Sequence, residues 1–527
     1  MFNIPTVTVA KTTLTGTSSS VTLTYVAPSV AWTPRHLLLR VNGRTTRGTT
    51  NAHVEIRLNG DDGSNYSSQF LNAEGTTTAA AISTDKDYLW RCFVPGTSVA
   101  SAAFGGGECL ITDALSTRTF KAFLGQAATV EAYLQLEAGR WENTAAITSV
   151  TFLADANQMA IGTTLELCVV DESFNIDEQI LGSDAKITVS SIGASNGDLV
   201  VIGNLRTDRA VHAEDNAEFV LNADATDSNY DIQIVQGVNG TTVGASHQDA
   251  AWYVFSRMPS SASPTSVFGA GVAQIANFSD GANDRVINAL AGHYSTATKC
   301  CVTTSTSRWN NTAAITSVLV QPSDSTNFKA GSMLSTYVVP KNLIARQELG
   351  SAAGITFSDI PQTYDHLEVS CYVRDDRSNS SDSLLITLND DTTAANYDRQ
   401  TLYGSGTDVT AGTSAADNTI GNIPSATHTA NVFGVTTVTI YNYTKTDRHK
   451  HFLSVSGEDA FQYVGIDSLR WENTAAITKI LVNGGNGNLA AGSVIELRGI
   501  SADTTAAAPS NIEKLNGIAS ADIEAVN

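Results

Sequence analysis

Clustered positive charge is what this sequence lacks first. Only 31 Lys and Arg stand against 52 Asp and Glu, for a net charge of −21, and no basic run occurs. Neutralising phosphates takes grouped cations, so no nucleic-acid partner is expected; the acidity suits a crowded assembly that must stay soluble. Cysteine is scarce too. Cys92, Cys109, Cys168, Cys300, Cys301 and Cys371 show no paired spacing and read as reduced, buried small hydrophobes. No apolar run reaches the length of a membrane span, and Met1–Pro5 has neither the basic nor the apolar part of a signal peptide. Neither a membrane nor secretion is expected, so triplets such as Asn65-Tyr66-Ser67 carry no glycosylation message. A sustained helical period is absent. So are a Gly-x-Ser-x-Gly elbow, a phosphate-cradling glycine loop, a Cys/His metal cluster and an acid pair at fixed spacing. Gly105-Gly106-Gly107 reads as a loop. Arg448-His449-Lys450-His451 is the one dense histidine pair; it lacks a third metal ligand and reads as a solvated strand end. Neither catalysis nor a cofactor is expected.

What is present is repetition. Arg140-Trp141-Glu142-Asn143-Thr144-Ala145-Ala146-Ile147-Thr148 returns as Arg308-Trp309-Asn310-Asn311-Thr312-Ala313-Ala314-Ile315-Thr316 and as Arg470-Trp471-Glu472-Asn473-Thr474-Ala475-Ala476-Ile477-Thr478. The tryptophans lie 168 and 162 residues apart, one domain length each. A glycine (Gly162, Gly331, Gly492) follows each at nearly constant distance and opens a strand-like run. One module has been made three times, each copy long enough to bury a core without disulfides.

Within the first module, Val21–Thr24 alternates and reads as a first strand; Val54, Ile56 and Leu58 share a face; Leu134 and Leu136 oppose Glu131, Tyr133, Gln135 and Glu137. Asn-Gly turn signals at Asn42-Gly43 and Asn59-Gly60 favour antiparallel hairpins. About eight strands per module imply an all-β chain of three tandem antiparallel β-sandwiches of jelly-roll kind. The modules span 1–173, 174–341 and 342–503, and a C-terminal linker and tail occupies 504–527. In that tail Ile512–Ile518 and Ile523–Asn527 resemble two short docking units. Sequence alone does not choose between a pseudo-threefold cluster and a rod.

Two constellations are candidates for sites. Trp141, Trp309 and Trp471 invite a carbohydrate-stacking reading, with Arg140, Arg308 and Arg470 beside them. The motif is kept whole while surrounding loops change length, which favours packing anchors. Asn143, Asn311 and Asn473 are expected to bond their own backbone in a tight turn. Asp61, Asp224 and Asp391, each two residues past an Asn, group oxygen ligands as a calcium loop does, but no bidentate Glu completes the set.

Leu58–Ser67, the Arg-Trp-Glu-Asn-Thr-Ala-Ala-Ile-Thr-Ser stretch, the Ala-Gly-Ser runs at Ala330 and Ala491, and Ile512-Glu513-Lys514-Leu515-Asn516-Gly517 resemble segments of virion structural proteins of tailed bacteriophages. The second module departs most, with Ala223 for Gly60 and Asn310 for Glu142. The resemblance implies a non-enzymatic particle component of head-decoration, head-fibre or tail-fibre type. Such a component is made in the host cytoplasm, is located in the virion, forms homo-oligomers and packs against other virion proteins. It transfers no catalytic residue. The alternative is an adhesin that recognises a host cell-surface glycan.

Overall fold

In the computed structural model each third of the chain folds into twelve strands, and no α-helix occurs among the described residues. The structure describes residues 4–500 apart from 130–132, 196, 211–213, 249–252, 324–325, 340–343 and 459–462, together with a strand pair, Lys514–Leu515 with Ile518–Ala519. The rest of the proposed docking tail lies outside the described residues, as do Val130–Ala132.

In the first module the strands are β1 (Thr6–Thr13), β2 (Ser20–Thr24), β3 (Leu37–Gly43), β4 (Asn51–Leu58), β5 (Tyr66–Glu74), β6 (Thr77–Lys86), β7 (Arg91–Pro95), β8 (Gly105–Ile111), β9 (Lys121–Thr129), β10 (Tyr133–Trp141), β11 (Ser149–Ala154) and β12 (Thr164–Val170). They form an eight-stranded sheet in the order β1-β12-β3-β8-β9-β10-β5-β6 and a four-stranded sheet in the order β2-β11-β4-β7. The antiparallel pairs β1–β12, β2–β11, β3–β8 and β4–β7 are nested as in a rolled-up hairpin, which is the winding of a jelly roll. The β5–β6 hairpin and the β9–β10 hairpin are insertions that widen one sheet. The second and third modules repeat both strand orders. The expectation of about eight strands counted the jelly roll and missed these additions, and Val21–Thr24 is the second strand, since β1 precedes it.

The two sheets bury differently. β4 alternates along its whole length, with Val54, Ile56 and Leu58 inward, because the four-stranded sheet faces water on one side. β3, β8 and β9 are buried at every position. The inner face of the large sheet closes its own sandwich over residues such as Leu39, Val41, Ile56 and Phe152. Its outer face joins a fourth core shared by all three modules, which unites Leu38, Leu124 and Leu136 with Val200, Val272 and Leu290 and with Leu402, Leu453 and Ile466. The three modules therefore pack large sheet to large sheet in a cluster, and the rod is excluded.

Several expectations change with this arrangement. Gly105-Gly106-Gly107 is strand, not loop: a Cβ on Gly106 would sit 1.9 Å from the Val41 carbonyl oxygen, so the close approach of β3 requires glycine. Glu137 and Gln135 do not face solvent. The Glu137 carboxylate is fully buried and accepts from Ser68 Oγ at 2.5 Å and Gln135 Nε2 at 2.8 Å. His451 is buried as well, stacked on Tyr441 with Nε2 3.1 Å from Ser468 Oγ, so the solvated strand end is corrected to an inter-strand packing position. All six cysteines are buried and none forms a disulfide.

Candidate functional site

Each module carries the same corner at the end of the strand that bears its tryptophan. Trp141 stands in register between Tyr66 and Lys121, Trp309 between Tyr230 and Arg285, and Trp471 between Tyr397 and Lys450. All three indoles are 1% exposed. Their Nε1–H groups donate to Asp61, Asp224 and Asp391 at 2.7, 2.9 and 2.8 Å. The same carboxylates accept from Asn65, Asn229 and Asn396 and from backbone N–H groups two residues on. Burial works to raise these aspartates, but the indole and amide donors outweigh it and hold each carboxyl below its ordinary range. The oxygens grouped as calcium ligands are thus engaged by the corner itself. Among the described residues no set of three or more His, Cys, Asp or Glu is arranged to hold a metal.

The rest of the motif is equally occupied. Asn143, Asn311 and Asn473 each accept from the N–H two residues on (Ala145, Ala313, Ala475) at 2.9 Å. Asn59, Asn222 and Asn389, in left-handed backbone at φ 54°, 50° and 48°, donate to the Ala146, Ala314 and Ala476 carbonyls and accept from Thr148, Thr316 and Thr478 N–H. A buried cation closes the corner from below. Lys121 Nζ donates to the Ser116, Thr119 and Thr144 carbonyls, Arg285 to those of Asn283, Thr312 and Ala313, and Lys450 to those of Lys445, Arg448 and Thr474. Desolvation lowers Lys121 and Lys450 to about 8. These cations were not singled out from the sequence, because their distance to the Trp varies with loop length.

A second repeated set joins the modules. The buried Gln69, Gln233 and Gln400 each sit three residues past the corner tyrosine and reach the hairpin-tip glycine of the next module. Gly240 N–H donates to Gln69 Oε1 at 2.9 Å. Gln233 exchanges two bonds with Gly406, at 2.9 and 3.0 Å, and Gln400 Nε2 donates to the Gly75 carbonyl at 2.8 Å. Gly75, Gly240 and Gly406 have φ of 58°, 78° and 58°, the left-handed turn that glycine takes without strain. First to second, second to third, third to first: the contacts run head to tail and close a ring. His36, Asp198 and His366, at one equivalent position, follow the same direction, to Ser335, Ser370 and Glu166. The constant three-residue offset of the glutamines was the available signal in the sequence.

Fold and corners together define an all-β, single-chain pseudo-trimer of jelly-roll sandwiches. No family model matches the sequence, and a search of curated proteins found no match to it. Among solved structures, the LG1-3 region of the laminin α2 chain aligns at 9% identity over 92% of this chain and 96% of its own, with a TM-score of 0.14. Domains LG4-5 of the mouse laminin α1 chain align at 10% identity over 63% and 91%, again at 0.14.

Proposed function

We propose that the chain is a non-enzymatic structural component of a tailed-phage particle, in which one polypeptide fills a place with threefold symmetry. The observation that carries this is the closed glutamine–glycine ring. The motif held in common by the modules serves shape: its three indole N–H groups and its three turn asparagines are spent on internal bonds. The four-stranded sheets, polar on their outer faces, remain for neighbouring head or tail proteins. Made without disulfides in the host cytoplasm, the protein joins the virion at assembly. Immunolabelled negative-stain images of purified particles test the proposal. Regular label on heads or tails is the expected result, and a protein found in the lysate but absent from purified particles would overturn it.

A further inference from the structure

The three seams are built alike and filled unlike. At each one a phenylalanine lies against the glycine that precedes its own module's last strand: Phe104 by Gly162, Phe268 by Gly331, Phe433 by Gly492. Between the third and first modules, the buried Arg448 sets its guanidinium 4.1 Å from the Phe104 ring centroid and donates to the Gly162 carbonyl at 2.9 Å. Between the second and third, Tyr372 stacks on Phe433 at 5.0 Å and 15°. The residues at those two positions in the remaining seam are Thr119, in the place of Arg448, and Asn204, in the place of Tyr372. They bond each other at 3.2 Å, and neither stacks on Phe268.

A cavity of about 260 Å³ is left there, bounded by Phe268, Thr119, Arg118, Arg206 and Lys329. Its lining holds three cations and no carboxylate, in a chain of net charge −21. The corresponding cavity of the next seam carries two carboxylates, Asp280 and Glu348, beside a single cation, Arg346. Arg118 is paired with Asp113 at 2.9 Å and Lys329 with Asp184 at 2.6 Å. Arg206, 7% exposed, gives both terminal nitrogens to loop carbonyls, yet its Nε–H is buried without a partner. Burial holds the Arg206 guanidinium below its usual pKa, with loop carbonyls and no carboxylate among its described partners.

We propose that this cavity binds an acidic sugar, a single pyranose bearing a carboxylate. The apolar face of the ring lies on Phe268, its hydroxyls meet Thr119, Thr265 and Ser266, and its carboxylate meets the cationic rim of Arg118, Arg206 and Lys329. The volume suits one ring and not a chain. This site is independent of the particle role, since a shell protein needs no ligand to pack.

The test is calorimetric titration of the full chain with glucuronate, with glucose as the neutral control and sulfate as a competitor. Glucuronate is expected to bind with a Kd near about 1 mM, as its size implies, and glucose at least about tenfold more weakly. Lys329→Gln should weaken glucuronate about threefold or more. Arg118→Asp with Thr119→Arg and Asp113→Asn installs the Asn442, Asp447 and Arg448 set of another seam, so it should plug the cavity and abolish binding with thermal stability kept. No glucuronate binding, equal binding of glucose, sulfate competing as strongly as glucuronate, or affinity unchanged in the plugged chain would each overturn the proposal. If the plugged chain fails to fold, Lys329→Gln decides: unchanged affinity overturns it.

Discussion

Truncating Trp471 is the sharpest probe of the corner. A buried indole removes about 150–250 Å² from water. At about 25 cal/mol per Å² that is about 4–6 kcal/mol as an upper bound, and measured Trp→Ala losses run about 3–5 kcal/mol. The N–H bond to Asp391 adds less, because that carboxylate is partly exposed and water replaces the donor, so about 0.5–1.5 kcal/mol is expected for it. Trp471→Ala should therefore cost about 4 kcal/mol, and Trp471→Phe, which keeps most of the apolar burial, about 1–2 kcal/mol. Guanidinium denaturation of the full chain followed by circular dichroism reads both as shifts of the first transition. That midpoint is the quantity to compare, since four connected cores need not unfold in one step. An unchanged midpoint for Trp471→Ala, or equal losses for Ala and Phe, would refute the internal-peg argument. Trp141→Ala and Trp309→Ala should match it, their surroundings being the same.

Burial lowers the pKa of His451 to about 3, so between there and its ordinary value near 6.5 the unfolded chain binds the extra proton. The contribution of the neutral ring is complete above pH 6.5 and is lost as pH falls, by about 2 kcal/mol at pH 5. His451→Gln should flatten the acid limb of a plot of denaturation midpoint against pH by that amount. Gln233→Ala removes two bonds across one seam and leaves the Gly406 groups to find water; a loss of about 1–3 kcal/mol is expected, read as a lower thermal midpoint with each sandwich's strand content intact. Lys121→Arg should stay within about 0.5 kcal/mol of the parent in the same denaturation assay, because Arg285 already fills that corner in the second module. Lys121→Met, which strands three carbonyls, should cost about 1–3 kcal/mol.

The all-β class was legible wherever one face of a strand meets water. β4 announced itself through Val54, Ile56 and Leu58, and the triplicated corner through the identity of its residues. Strands buried on both faces were not legible in that way. β8 and β9 are rich in Gly, Ala and buried polar residues because sheets approach closely on both sides, and this erases the period-two signal. His451 looked solvated because a single strand read by itself does not show the side chains of neighbouring strands that cover it. The ring of modules left only the glutamine offset as a trace in sequence, since Gln69 finds Gly240 across 171 positions and no local pattern names that partner. The cavity beside Phe268 is visible only by superimposing the seams, where two small residues stand in for Arg448 and Tyr372.

A ring closed within one polypeptide has freedoms that three separate copies lack. In a homotrimer every substitution appears at all joints at once, so no joint can specialise. Here one joint holds a guanidinium, another a phenol and the third a hollow, each free to drift alone. Covalent linkage also fixes the stoichiometry: dilution cannot separate the parts, and the assembly meets its partners already complete.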